Sequence, residues 1–137
     1  MQDKIQTKKA PRPVGAYPHA RRVGNLLFLS GVGPREPGTD EIPGVQLDER
    51  GRIVAYDIAE QCHAVFRNVR VILEEAGSAW ENLVDVTVFL TNMKQDFETF
   101  NRIYAEYFGD VQPCRTTVEI NALPTPIAIE LKCIATI

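Results

Sequence analysis

No apolar run in the chain approaches the roughly 20 residues that would cross a bilayer. The polar opening stretch MQDKIQTKKAPRP has none of the apolar core that a secretory leader needs. Cysteine is scarce: Cys62, Cys114 and Cys133 are too few and too scattered for a disulfide framework, and their odd number points to reduced thiols. These absences make a cytoplasmic protein without a membrane partner the expectation. Lys and Arg number 15 against 18 Asp and Glu, for a formal net charge of -3, and no basic run stands out. Nucleic acid is therefore not an expected partner. His19 and His63, the two histidines, lie far apart in sequence, so no metal site is indicated. GVG at 31–33 lacks the third glycine and the helix of a dinucleotide fingerprint, and no GK[ST] marks a phosphate loop. Ser30 in LSGVG is followed by a Pro-rich loop, where a nucleophile elbow needs glycines on both sides and a helix after the turn.

What is present fits one domain: 137 residues, 45% of them hydrophobic and 24% charged, close to the soluble globular average. Residues 1–13, with Lys8, Lys9, Pro11 and Pro13, read as a loose arm, and a single domain fills 14–137. NLLFLSG at 25–31 fits a buried strand, and the Gly- and Pro-rich stretch after it fits a loop. VQLDERGRIV suggests a minor hairpin. From Asp57 to Ala76, Ile58, Cys62, Val65, Phe66, Val69, Ile72 and Leu73 recur at three- and four-residue steps, which predicts a helix. Asp57 with Glu60 has the spacing of a capping box, and Gly77 is the stop. LVDVTVFL at 83–90 alternates as a strand, with Val84, Val86, Val88 and Leu90 on one side. A second helix carries Phe97, Phe100, Tyr104, Tyr107 and Phe108, with Asp96 as its expected cap and Gly109 at its end. The fold class is then α+β: a mixed sheet of about six strands with two crossover helices on one face. The other face also offers apolar residues, such as Leu26 and Phe28, so a homo-oligomer is expected.

The closing segment CRTTVEINALPTPIAIELKCIATI reads as two strands joined by a turn at Pro124 and Pro126, with the polar side chains sorted onto one side. Two readings stand. Arg115, Glu119, Glu130 and Lys132 are either exposed charges paired across strands, or they line a cleft. In a cleft, Arg115 would grip a carboxylate through its planar fork and a nearby carboxylate would activate water.

YPHA, LLFLSGVGP, RNVRVILEEAGSAWENLVDVTVFLTNM, FETFNRIYAEYF and PCRTTVEINALPTPIAIELKCIA together resemble the Rid/YjgF family of enamine/imine deaminases, over nearly the whole chain from Val14 to Thr136. The resemblance implies a chorismate-mutase-like fold, a homotrimer with active sites in clefts between subunits, and neither metal nor organic cofactor. It implies Arg115 as the carboxylate-binding residue and Glu130 as the residue that positions water, with Tyr17, Ser30, Gly31 and Asn101 lining the pocket. Thr117 stands where many members have a cysteine two residues after the arginine. Pro18-His19, the long loop at 33–44, Asn92-Met93 and Arg115-Thr116-Thr117-Val118 look more like the 2-aminomuconate deaminases, whose substrate has two carboxylates; His19 is the candidate for a second polar contact. The alternatives are a 2-iminobutanoate/2-iminopropanoate deaminase, and a non-enzymatic regulatory or binding member, including the endoribonuclease and translation-inhibitor activities attached to the family by name.

Overall fold

The strongest periodic segment becomes the longer helix of the computed structural model, which describes residues 3–137. The chain runs β1 (Lys4–Ile5), β2 (Ala20–Val23), β3 (Leu26–Leu29), β4 (Gln46–Leu47), β5 (Ile53–Ala55), α1 (Ile58–Glu75), β6 (Leu83–Leu90), α2 (Met93–Phe108), β7 (Cys114–Glu119) and β8 (Ile129–Thr136). Six strands form one mixed sheet in the order β1-β2-β3-β8-β6-β7, and β4 with β5 is the minor hairpin. β6 and β7 run parallel, joined by α2 as a crossover. Both helices cover one face, where Leu27, Leu29, Val86, Val88, Ile129, Leu131 and Cys133 meet Phe66, Val69, Leu73, Phe100 and Phe108 in one core. Truncating one of these leucines to alanine would cost about 2–5 kcal/mol. This is the α+β arrangement the sequence predicts, and among the described residues no helix is long and apolar enough to cross a membrane.

The Asp57 carboxylate accepts from the Ala59 and Glu60 amides at 2.9 and 3.3 Å and caps α1, a bond set contributing about 1 kcal/mol. Glu60 does not close a capping box, because the Asp57 amide donates instead to the Gly44 carbonyl. At the other end Ser78 N–H reaches Leu73 O and Gly77 N–H reaches Glu74 O, with Gly77 at φ 81°; this is a Schellman stop, and only glycine adopts that φ without strain.

Four further expectations change. Asp96 does not cap α2. Asn92 does, accepting from the Gln95 amide at 3.1 Å, while Asp96 is buried and accepts from the Tyr56 hydroxyl at 2.5 Å. Val84 leaves the buried side of β6, since a bulge between Leu83 and Asp85 gives the inward place to Leu83. The closing segment is not a hairpin, because β6 lies between β7 and β8. Nor is the described part of the arm loose. Ile5 pairs with Ala20, Ala10 is buried, and Thr7 and Lys9 bond Glu75 at 2.9 and 3.3 Å; residues 1 and 2 of that arm lie outside the described residues.

Candidate functional site

Paired residues on neighbouring strands send their side chains to the same face of a sheet. Val86 pairs with both Arg115 and Cys133, and Val86 and Cys133 are fully buried under the helices. Arg115 is therefore on the helix side, at the edge strand β7. Glu130 pairs with Phe89, three residues from Val86, and so projects from the opposite, uncovered face. The expectation that these two charges share one side of a hairpin is corrected, because β6 separates their strands. Neither do the four charges of the closing segment pair with one another. Glu119 caps α2 by accepting from the Met93 amide at 2.9 Å, and the Lys132 ammonium donates to the Leu29 carbonyl.

Arg115 is half-buried and makes no ion pair among the described residues. Its Nη1 donates to Asn101 Oδ1 at 2.9 Å, and its guanidinium carbon lies 4.6, 5.4 and 5.9 Å from the ring centres of Tyr104, Phe100 and Phe97. With a neutral amide as its hydrogen-bond partner, it has N–H edge left for an anion. Thr117, two residues on, shares its face.

Glu130 is also half-buried and without an ion pair among the described residues, and burial pushes its carboxyl above the ordinary glutamate range. Gly31 meets it directly: a Cβ at Gly31 would lie 2.9 Å from the Glu130 carboxyl carbon. A bulge aims this contact. From Phe28 to Val32 the chain takes four steps while its partner takes three, from Ile134 to Leu131, and the extra residue falls beside Ser30 and Gly31. Tyr17, His19, Ser30 and Gly31 line one recess with Pro11, Pro13 and Arg35. The Ser30 hydroxyl donates to Pro18 O at 2.7 Å, and the Tyr17 hydroxyl accepts from the Val14 amide at 3.2 Å.

His19 is placed differently from the expected substrate contact. Its ring is buried, Nδ1 accepts from the Thr7 amide at 3.3 Å and Nε2 meets the Pro11 carbonyl at 2.8 Å. Both nitrogens are spent on anchoring the N-terminal segment, which leaves none for a ligand.

Two groups of residues escaped the sequence reading. The rings of Phe97, Phe100 and Tyr104 read as core stripe and turn out to cradle Arg115. Gln61 and Asn68 sit seven residues apart within the apolar stripe of α1, both fully buried. Asn68 Nδ2 donates to Gly33 O and Arg35 O, both at 2.9 Å, and Gln61 Oε1 accepts from the Ala128 amide at 2.8 Å. These amides fix the chain just after Gly31 and just before Glu130. Two polar residues breaking an otherwise apolar stripe were the available signal.

The family model described as Endoribonuclease L-PSP matches residues 7–137. A RutC family protein of Pyrococcus abyssi is 42% identical over 131 residues, covering 96% of this chain and 94% of its own. The chloroplastic Reactive Intermediate Deaminase A of Arabidopsis thaliana is 37% identical over 133 residues, 97% of this chain and 65% of its own. Among solved structures, E. coli TdcF with bound serine superposes with a TM-score of 0.84 at 29% identity, over 99% of each chain. Matched along nearly its whole length in sequence and in fold, the chain belongs to the Rid/YjgF family.

Proposed function

We propose that the protein hydrolyses small imino and enamino acids to oxo acids and ammonia, as a homotrimer whose sites lie in clefts between copies. The observation that carries this reading is the pair Arg115 and Glu130. Each is half-buried without an ion pair among the described residues, and they stand on opposite faces of one sheet. A site using both needs Arg115 from one chain and Glu130 from the next. The uncovered face supports such an assembly, since Val23 and Leu26 are 59% and 37% exposed on it beside Phe28 and Ile134. The name of the Arabidopsis relative and the serine held by TdcF support a small carboxylate-bearing nitrogen compound as substrate.

In the reaction, Arg115 holds the substrate carboxylate while Asn101 fixes the guanidinium. An enamine is first protonated on carbon to the iminium. Glu130 takes a proton from water as its oxygen bonds to the iminium carbon, giving a carbinolamine. Glu130 passes that proton to nitrogen and takes the carbinolamine's hydroxyl proton as the carbonyl forms, while the C–N bond breaks and ammonia leaves with the electron pair. Tyr17, Ser30, Gly31 and Thr117 line the cleft. Within this class the sequence likeness favours 2-aminomuconate. His19, bonded internally, does not serve its second carboxylate.

Ammonia release from 2-aminomuconate and from freshly generated 2-iminobutanoate tests the reading, with the dicarboxylate expected to turn over faster. Turnover of 2-iminobutanoate alone would overturn the muconate assignment and leave the monocarboxylate type. Turnover of neither by an intact oligomer would remove the deaminase reading and leave the binding alternative and the ribonuclease one, the latter disfavoured by the acidic composition.

A further inference from the structure

A guanidinium on an edge strand is ordinarily mobile, yet Arg115 rests against three aromatic rings of α2, and the nearest of them has an arrangement that core packing does not require. Tyr104 and Phe108 are stacked, with centroids 4.0 Å apart and planes at 10°. A ring has two faces. Phe108 occupies one, and the Arg115 guanidinium carbon, 4.6 Å from the Tyr104 centroid, lies over the other. Phe66 meets Tyr104 edge-on at 6.1 Å and Phe100 meets it at 5.5 Å, so the ring cannot swing away from the arginine. The guanidinium thus caps a stack anchored in the core, with Phe100 and Phe97 as further walls.

We propose that Tyr104 is a positioning residue for Arg115, its ring face holding the guanidinium so that the free N–H edge meets a planar carboxylate already oriented. The proposal rests on the reading of Arg115 as the carboxylate clamp. Its chemistry belongs to the ring and not to the hydroxyl. The Tyr104 hydroxyl is buried without a hydrogen-bond partner, and burial pushes it up to about 12, so it stays neutral beside the cation. Cation–π attraction strengthens as water is excluded, and Tyr104 is 9% exposed. Asn101 complements the seat by taking Nη1. The helix that carries both residues is itself pinned to β7 by the Glu119 cap.

The test measures binding of 2-oxobutanoate, the oxo-acid product, and of its neutral amide, together with KM and kcat for 2-iminobutanoate, in the oligomeric protein. Tyr104→Leu is expected to weaken acid binding and raise KM about tenfold, with kcat and amide binding nearly unchanged. Tyr104→Phe, which keeps the ring, is expected to restore acid binding. Arg115→Ala is expected to abolish the preference for acid over amide. Equal acid affinity in Tyr104→Leu and the parent, with Arg115→Ala impaired, would overturn the seat and leave the clamp standing. A loss in Tyr104→Phe matching that in Tyr104→Leu would also overturn it, by assigning the role to the hydroxyl. Retained acid preference in Arg115→Ala would locate the failure in the clamp itself. Should the leucine variant lose its fold, Phe97→Leu at a half-buried position carries the same test: weaker acid binding by a few-fold supports the seat, and unchanged binding overturns it.

Discussion

Arg115→Ala is expected to lower kcat/KM for an imino acid by about a hundredfold or more, because a paired set of charge-assisted hydrogen bonds to a carboxylate is worth about 3 kcal/mol. The oligomer and its melting temperature should change little. Arg115 lies at the edge of the sheet, and its hydrogen-bond partner is the neutral, exposed Asn101 amide. No buried charge is left unpaired when the guanidinium goes, so the usual route to large destabilisation is absent. Ammonia release and a thermal melt, run on one preparation, check both halves of the expectation. Unchanged release would defeat the carboxylate clamp.

Glu130→Gln should do the reverse: keep KM near the parent value and reduce kcat by about 10²–10⁴-fold, the usual contribution of a positioned base. Glutamine preserves the shape that fits against Gly31 but cannot accept the water proton. The pH profile carries a second signature. Burial raises the Glu130 carboxyl above the ordinary glutamate value, and the base works ionised. Activity should therefore fall as pH drops through that raised value, at a higher pH than an exposed glutamate would give. The residual activity of the glutamine variant should lack this limb. The sign for stability follows from the same shift. The folded chain holds the proton more tightly than the unfolded chain, so ionised Glu130 costs stability above the ordinary carboxylate range and not below it. The glutamine variant should consequently melt no lower than the parent at neutral pH.

The elements with strong periodicity were legible before any coordinates. The apolar stripe from Ile58 to Leu73 gave α1 with its Asp57 cap, and LVDVTVFL gave β6 to the residue. What sequence hides is which strand lies beside which. Two alternating strands joined by a Pro-containing turn read as a hairpin, and nothing local says that β6 will pair with both, parallel to one and antiparallel to the other. That single insertion sends Arg115 and Glu130 to opposite faces. β2 does not stand out in the sequence because Arg21 and Arg22 interrupt its hydrophobic pattern. The arm looks loose in sequence because its anchors are hydrogen bonds of His19 and Thr7, which leave no apolar period to detect. The aromatic residues of α2 form a visible stripe, but a ring that packs a core and a ring that seats a cation look alike in one dimension. Arg115, Glu130, Tyr17, Ser30, Gly31, Asn101 and Thr117 came from resemblance more than from pattern, and their roles are proposals.

The shared site is the central claim, and mixing the two inactive variants addresses it directly. Arg115→Ala and Glu130→Gln chains, combined in equal amounts and allowed to exchange subunits, should recover activity. About a quarter of the sites in a randomly mixed closed ring would unite an intact Arg115 from one chain with an intact Glu130 from its neighbour. The account predicts ammonia release near that fraction of the parent rate. Release no greater than the average of the two separate variants, in a preparation shown to have exchanged subunits, would contradict it.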